Sequence, residues 1–369
     1  MAQETVALAD LAPLFGALRD AGYRVIGPTV RDGAIVLAEL ESAVDLPYGW
    51  GVETAPGRYR LRRRSDRAAF GHAAGPQAWK RFLHPPREEV VSARRTSTGV
   101  EFAAPDGKVE RYALLGVRPC DLRAIAVQDR VLGSSERYAA RRRAALLIAV
   151  DCIEPAATCF CVSAGGGPEA VDGYDVAITE LVGDTGHPRF LLRAGTASGE
   201  RLLGVLPHKP ASRADAERGR AAVRAAADRM GRALPPGDLR ALLAASTESP
   251  RWADVAARCL ACGNCTMACP TCFCTSVEDT TDLSGDHARR WERWASCFEL
   301  DFSYLHGGPV RTSVRSRYRQ WLTHKIGAWH DQFGESGCVG CGRCLAWCPV
   351  GIDITAELHA LAEEAEASP

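Results

Sequence analysis

The chain has 369 residues, and its 45 Lys and Arg balance 45 Asp and Glu, so no basic field points to nucleic acid. A hydrophobic content of 46% excludes a disordered chain and leaves room for two domains. Fifteen cysteines, an odd number, exclude a fully paired disulfide framework. Met1–Asp10 has no basic, apolar leader and no stretch approaches a membrane span of about 20 apolar residues, so the cysteines predict metal ligands in a reducing cytoplasm. Only four of the basic residues are Lys, which reads as a compositional habit.

Residues 10–20 predict a helix with the apolar stripe Leu11, Leu14, Phe15 and Leu18, and with Asp10 as its cap. Strands Tyr23–Ile26 and Ala34–Leu40 flank the hairpin turn Arg31-Asp32-Gly33, and a second pair is predicted around Pro105-Asp106-Gly107. Ala78–Leu83 reads as a short helix that stops before Pro85. Tyr112–Val117 predicts a buried strand, Asp121–Leu132 a helix opened by Pro119, and Ala144–Val150 a second apolar strand. Strand, helix, strand implies a right-handed crossover between parallel strands. Cys120 and Cys152 then lie just past the carboxyl ends of two strands, where open sheets bind ligands. Cys159 and Cys161 follow on the next loop, so these four thiols are expected to converge.

Asp175–Leu181, Arg189–Arg193 and Arg201–Val205 read as strands, and Arg213–Leu234 as a long helix. Pro235-Pro236-Gly237 marks the expected boundary between an N-terminal α/β domain with a mixed sheet (1–235) and a C-terminal domain (236–369). Helices Asp238–Ala245 and Trp252–Arg258 lead into Cys259-x2-Cys262-x2-Cys265-x3-Cys269-Pro270. The pattern returns as Cys338-x2-Cys341-x2-Cys344-x3-Cys348-Pro349. Between the two, Ala288–Trp294 and Arg315–Trp329 have helical patterning. Arg315, Arg317, Arg319 and Lys325 on the second of these form either a solvated face or a docking face for an acidic partner. Ile352–Glu366 predicts a final helix.

C-x2-C-x2-C-x3-C-P is the pattern of two-cluster ferredoxins, in which three close thiolates hold one 4Fe–4S cluster and the fourth ligates the other. Crossed ligation assigns Cys259, Cys262, Cys265 and Cys348 to one cluster, and Cys338, Cys341, Cys344 and Cys269 to the second. Zinc sites read instead as separated C-x2-C pairs. Cys120, Cys152, Cys159 and Cys161 supply the four soft ligands of a third cluster, the other reading being inert buried thiols. Thr271-Cys-Phe-Cys274 repeats Thr158-Cys-Phe-Cys161, but with only Cys297 as companion, so Cys272, Cys274 and Cys297 read as packing. No dinucleotide fingerprint, phosphate loop or nucleophile set is present, which leaves an electron relay with no substrate site of its own. A non-redox scaffold stabilised by metal is the alternative of another class.

Gly116-Val-Arg-Pro-Cys120-Asp-Leu, Asp151-Cys152 with Cys159-Phe-Cys161, Cys269-Pro-Thr-Cys-Phe-Cys274 and the final run from Gly337 to Asp353 occur together. Together they resemble the iron–sulfur β subunit of cytoplasmic NAD(P)-linked NiFe hydrogenases, the sulfhydrogenases. They are equally similar to the 4Fe–4S dicluster subunit of anaerobic sulfite reductase. The likeness runs over roughly residues 110 to 355. It implies an α+β protein ending in an α-helical ferredoxin domain. It also implies a cytoplasmic relay that links a flavin/NAD(P)-binding subunit to a catalytic subunit, with hydrogenase favoured over sulfite reductase. The eight motif cysteines are its implied ligands, joined by Cys120, Cys152, Cys159 and Cys161.

Overall fold

A computed structural model describes residues 5–105, 107–183 and 186–367. The chain opens with β1 (Val6–Leu8), α1 (Ala12–Asp20), β2 (Arg24–Arg31) and β3 (Ala34–Glu39). Asp10 Oδ1 accepts the Ala12 N–H at 2.8 Å, and α1 buries Leu14, Phe15 and Leu18. Asp32 and Gly33 turn the β2–β3 hairpin at φ of 49° and 73°, the primed geometry that Asp-Gly favours. There follow β4 (Trp50–Ala55), β5 (Arg58–Arg63), α2 (Lys80–Leu83), β6 (Arg87–Thr96), β7 (Gly99–Ala103), β8 (Tyr112–Val117), α3 (Pro119–Leu132) and α4 (Glu136–Ala144). Next come β9 (Leu146–Val150), β10 (Val176–Val182), β11 (Pro188–Ala194), α5 (Ala197–Gly204), β12 (Lys209–Pro210) and α6 (Arg213–Ala227).

An eight-stranded sheet runs β12-β1-β11-β10-β9-β8-β2-β3. Its centre is parallel, β2 with β8, β8 with β9 and β9 with β10, and the outer pairings are antiparallel. The apolar runs of β8 and β9 suit strands covered on both faces. Alternation divides them: Leu115, Ile148 and Ile178 join α1 in one core, while Leu114, Leu147 and Ala177 join Leu122 and Ile125 of α3 in another.

Three predicted elements take another form. Arg201–Val205 lies largely within helix α5, because Thr196 caps the Gly199 N–H and buried Leu202 and Leu203 lie one turn on. The segment around Pro105-Asp106-Gly107 does not close a hairpin: β7 pairs β6, β8 sits in the large sheet, and Asp106 itself lies outside the described residues. Ala288–Trp294 is a strand, discussed next.

The second half contains α7 (Leu239–Ala245), α8 (Arg251–Arg258), α9 (Asn264–Met267), β13 (Thr275–Thr281), β14 (His287–Trp294) and α10 (Val314–Leu322). It ends with α11 (Trp329–Phe333), α12 (Arg343–Ala346) and α13 (Ile354–Ala367). A π-helical turn, Thr323–Ala328, joins α10 to α11. β13 and β14 form a hairpin that docks on β6, giving a four-stranded sheet β13-β14-β6-β7. The spacing of Ala288, Trp291 and Trp294 fits a helical period, but an open strand edge on β6 satisfies the backbone of this segment instead. A third core gathers Trp252, Phe298, Tyr318, Trp321 and Leu358, with Phe160 and Ala164 from the first half. Segments on either side of residue 235 thus share a sheet and a core. Among the described residues no helix is long and apolar enough to cross a membrane.

Candidate metal centres

The two ferredoxin-pattern loops are built alike. After α8 the chain passes Cys259 and turns through Ala261 and Gly263 at φ of 52° and 74° before α9 begins. The second loop turns through Gly340 and Gly342 at φ of 68° and 72° before α12. Left-handed residues of this kind turn backbone N–H groups inward, as an anionic centre requires. Ala261 N–H donates to Cys259 Sγ at 3.4 Å, Ile352 N–H to Cys348 Sγ at 3.3 Å and Ala156 N–H to Cys159 Sγ at 3.4 Å. An all-thiol donor set with amide donors aimed at the sulfurs fits iron–sulfur clusters, whose potentials such hydrogen bonds tune.

The fourth cysteine of each loop keeps company with the other loop's first three. Cys259 and Cys265 feel the charges of Cys262 and Cys348. Cys338, Cys341 and Cys344 all feel Cys269. Cys259, Cys262, Cys265 and Cys348 line one pocket together with Cys344, and Phe298, Tyr318 and Trp321 wall it. The upstream cysteines converge as well: Cys120, Cys152, Cys159 and Cys161 line one cavity. Cys120 follows β8 at the start of α3 and Cys152 follows β9, at the carboxyl edge of the parallel strands. Among the described residues no three His, Cys, Asp or Glu side chains converge on a single-ion site.

The upstream cavity abuts the second loop. Phe160 N–H donates to Gly340 O at 2.9 Å, and Cys341 lines the same cavity. α3 carries three links to the second half: Asp121 to Arg343, Gln128 Nε2 to Pro270 O at 2.8 Å, and Arg130 to Glu335. Cys344 in turn feels Cys265 of the first loop. The three cysteine sets therefore form a series: upstream set, second loop, first loop.

Burial pushes the Cys120, Cys265 and Cys344 thiols well up, Cys161 to about 11 and Cys338 to about 12. Thiols held this way keep their protons until a metal displaces them. Cys269 is the exception. A hydrogen bond from Cys272 outweighs burial there, and with Lys325 it holds the Cys269 thiol well below the usual range. Lys325 does not belong to a docking face, as the sequence allowed: it is buried, with Nζ 3.3 Å from Cys269 Sγ. Arg315 and Arg319 pair with Glu248, and Arg317 donates to Phe298 O. Cys272, Cys274 and Cys297 sit near this lysine rather than lining either cavity.

Sequence reasoning missed the buried charges: Lys80, which donates to Cys272 O at 3.1 Å, Lys325, and the Asp121–Arg343 pair. A signal was available. Lys80 and Lys325 are two of four lysines in a chain that otherwise uses Arg.

A family of 4Fe-4S dicluster domains matches residues 258–352. The sulfhydrogenase 2 subunit beta of Pyrococcus furiosus is 30% identical over 283 residues, covering 74% of this chain and 79% of that protein. No solved structure matches the chain.

Proposed function

The chain belongs to the family of sulfhydrogenase β subunits, iron–sulfur electron-transfer proteins with partner subunits, and on that premise we propose that it carries electrons along three 4Fe–4S clusters in series. Cys120, Cys152, Cys159 and Cys161 hold the first. Cys269, Cys338, Cys341 and Cys344 hold the second, and Cys259, Cys262, Cys265 and Cys348 the third. The observation that carries the reading is the succession of the three sets, Cys341 lining the cavity of the first set and Cys344 lining that of the third. When bound, such clusters supply one-electron carriers whose potentials follow charge, hydrogen bonding and exposure. The chain's own residues hold these spacings rigid: Asp121 and Arg343 tie the first set to the second, and α9 and α12 pack the two loops together.

The partners in this reading are two: a flavin/NAD(P)-binding subunit, and the catalytic subunit of a cytoplasmic NiFe hydrogenase. The name of the Pyrococcus furiosus relative supports hydrogenase over sulfite reductase. Anaerobic purification of the tagged chain with its natural partners tests both levels. About twelve irons per chain are expected, together with NAD(P)H-linked hydrogen turnover. Sulfite reduction without hydrogen turnover overturns the hydrogenase assignment, and zinc in place of iron overturns the relay.

A further inference from the structure

Lys325 has an environment that a surface lysine lacks. It lies in the π-helical turn Thr323–Ala328, a distortion frequent at functional sites. Its side chain runs inward until only 7% of the residue is exposed. Nζ lies 2.8 Å from Thr271 Oγ1, 3.3 Å from Cys269 Sγ and 3.4 Å from Gly337 O. The mount is fixed from several directions. Gly337 N–H donates to Lys325 O at 2.9 Å, and Thr271 Oγ1 donates to Gly337 O at 2.7 Å. No carboxylate among the described residues lies within ion-pair distance of Nζ. The titratable groups that face it include the thiols of Cys269, Cys272 and Cys338, of which Cys269 is the one favoured as thiolate, and Lys80 is a second buried cation nearby.

A buried ammonium without a counter-charge is strongly unfavourable. The buried Arg343 is answered by a carboxylate, Asp121, and the buried Arg118 by the carbonyls of Phe70 and His72. At Lys325 the available anion is sulfur. We propose that Lys325 is the built-in counter-charge of the centre held by Cys269, Cys338, Cys341 and Cys344, and raises its reduction potential above that of the other centres. Adding one electron to that centre makes no bond and adds one negative charge beside the ammonium. The ammonium therefore stabilises the reduced state more than the oxidised one. The inference rests on the ligand assignment proposed above. Lys325 acts as a positioning and tuning residue, since it touches a ligand sulfur and not a reacting substrate. In the relay it makes the middle position the site where an electron comes to rest.

The test is an EPR-monitored redox titration of the full chain, purified anaerobically and loaded with iron and sulfide. In Lys325→Met, one signal is expected to lose at least ten-fold in its reduced-to-oxidised ratio at fixed ambient potential, equal to about 59 mV for one electron. The other signals stay in place. Lys325→Arg keeps the charge and stays within about three-fold of the wild type. Lys325→Gln keeps a donor to Cys269 Sγ without the charge, so it separates charge from hydrogen bond even where the Met variant fails to load, and it must shift as predicted for Met. An unmoved ratio in the Gln variant, equal shifts in Arg and Gln, or shifts in every signal overturn the proposal. Cys338→Ser must remove the signal that Lys325→Gln moves. If it removes a different signal, the ligand assignment fails while the effect of Lys325 stands.

Discussion

Arg343 Nη1 lies 2.9 Å from Asp121 Oδ1, and both side chains are 2% exposed. Each neighbours a cysteine in sequence, Cys344 and Cys120, so one buried ion pair fixes the distance between two cysteine sets. Removing one partner of such a pair leaves a buried charge and costs about 3–5 kcal/mol, whereas replacing both by apolar residues costs less. Arg343→Met and Asp121→Leu should each lower the stability of the loaded chain by that amount, and the double variant by less than their sum. Chemical denaturation followed by circular dichroism reads the effect. Additive losses in the double variant would remove the pair from this role.

Gly340 and Gly342 sit where the second loop meets the Thr158–Cys161 loop. A Cβ at Gly340 would lie 2.5 Å from Cys161 Cα, and one at Gly342 would lie 2.2 Å from Thr158 O, both backbone atoms that cannot swing aside. Both glycines also have positive φ. Gly340→Ala and Gly342→Ala should therefore cost about 2–4 kcal/mol, through overpacking plus left-handed strain. Iron should fall at the upstream and second centres together. Gly263→Ala is the control: its Cβ would meet the side-chain oxygen of Ser296 at 3.1 Å, a group able to move, so about 1–2 kcal/mol is expected from strain alone. Iron analysis and urea midpoints of the three variants give the ranking. If Gly263→Ala is the most damaging, the packing argument fails.

The cysteine sets were legible because the chemistry sits in local spacing, and because a buried strand such as Leu146–Val150 ends where its next residues must emerge. Cys120 and Cys152 could be placed from that alone. Lys325 could not. Its stretch repeats Arg at 315, 317 and 319, which groups 325 with a charged face, although 325 follows Tyr318, Trp321 and Leu322 by seven, four and three residues and shares the face they bury. The strand Ala288–Trp294 was hidden for a different reason. Its partner β6 lies far upstream in the chain, and a single sequence gives no register for so distant a pairing.

Glu180 is buried, with its two oxygens accepting the N–H groups of Ala69 and Phe70 at 2.6 and 2.9 Å. Burial outweighs those bonds and raises its pKa to about 7, from 4.5. A carboxyl that holds its proton more tightly when folded adds stability that is fully present below pH 4.5. That contribution is lost as pH rises through 7. The wild type should lose about 1 kcal/mol between roughly pH 6 and pH 8 at this site, since one pKa unit is worth about 1.4 kcal/mol. Glu180→Gln cannot titrate, so its stability deficit relative to wild type should narrow over the same interval. Paired urea midpoints at the two pH values measure this, and a deficit that widens with pH contradicts it.

Cys161 and Cys120 carry the most specific prediction about the upstream centre. Both line its cavity, and Cys161 feels Cys152 and Cys341 while Cys120 feels Cys161. Neither lines the cavity of the first loop, which lies across the second loop from them. Serine removes the soft sulfur and leaves a hydroxyl of similar size, so loss of packing is small and loss of ligation is the main effect. Cys161→Ser and Cys120→Ser should each lower iron by about four per chain while leaving about eight. Cys272→Ser removes a thiol that lines neither cavity, and it should leave iron unchanged. Its thiol donor to Cys269 is replaced by a hydroxyl on a shorter bond, however, so the signal that Lys325 governs should move. Iron loss in Cys272→Ser equal to that in Cys161→Ser would mean that the second Thr-Cys-Phe-Cys copy ligates too, and would replace three centres by four.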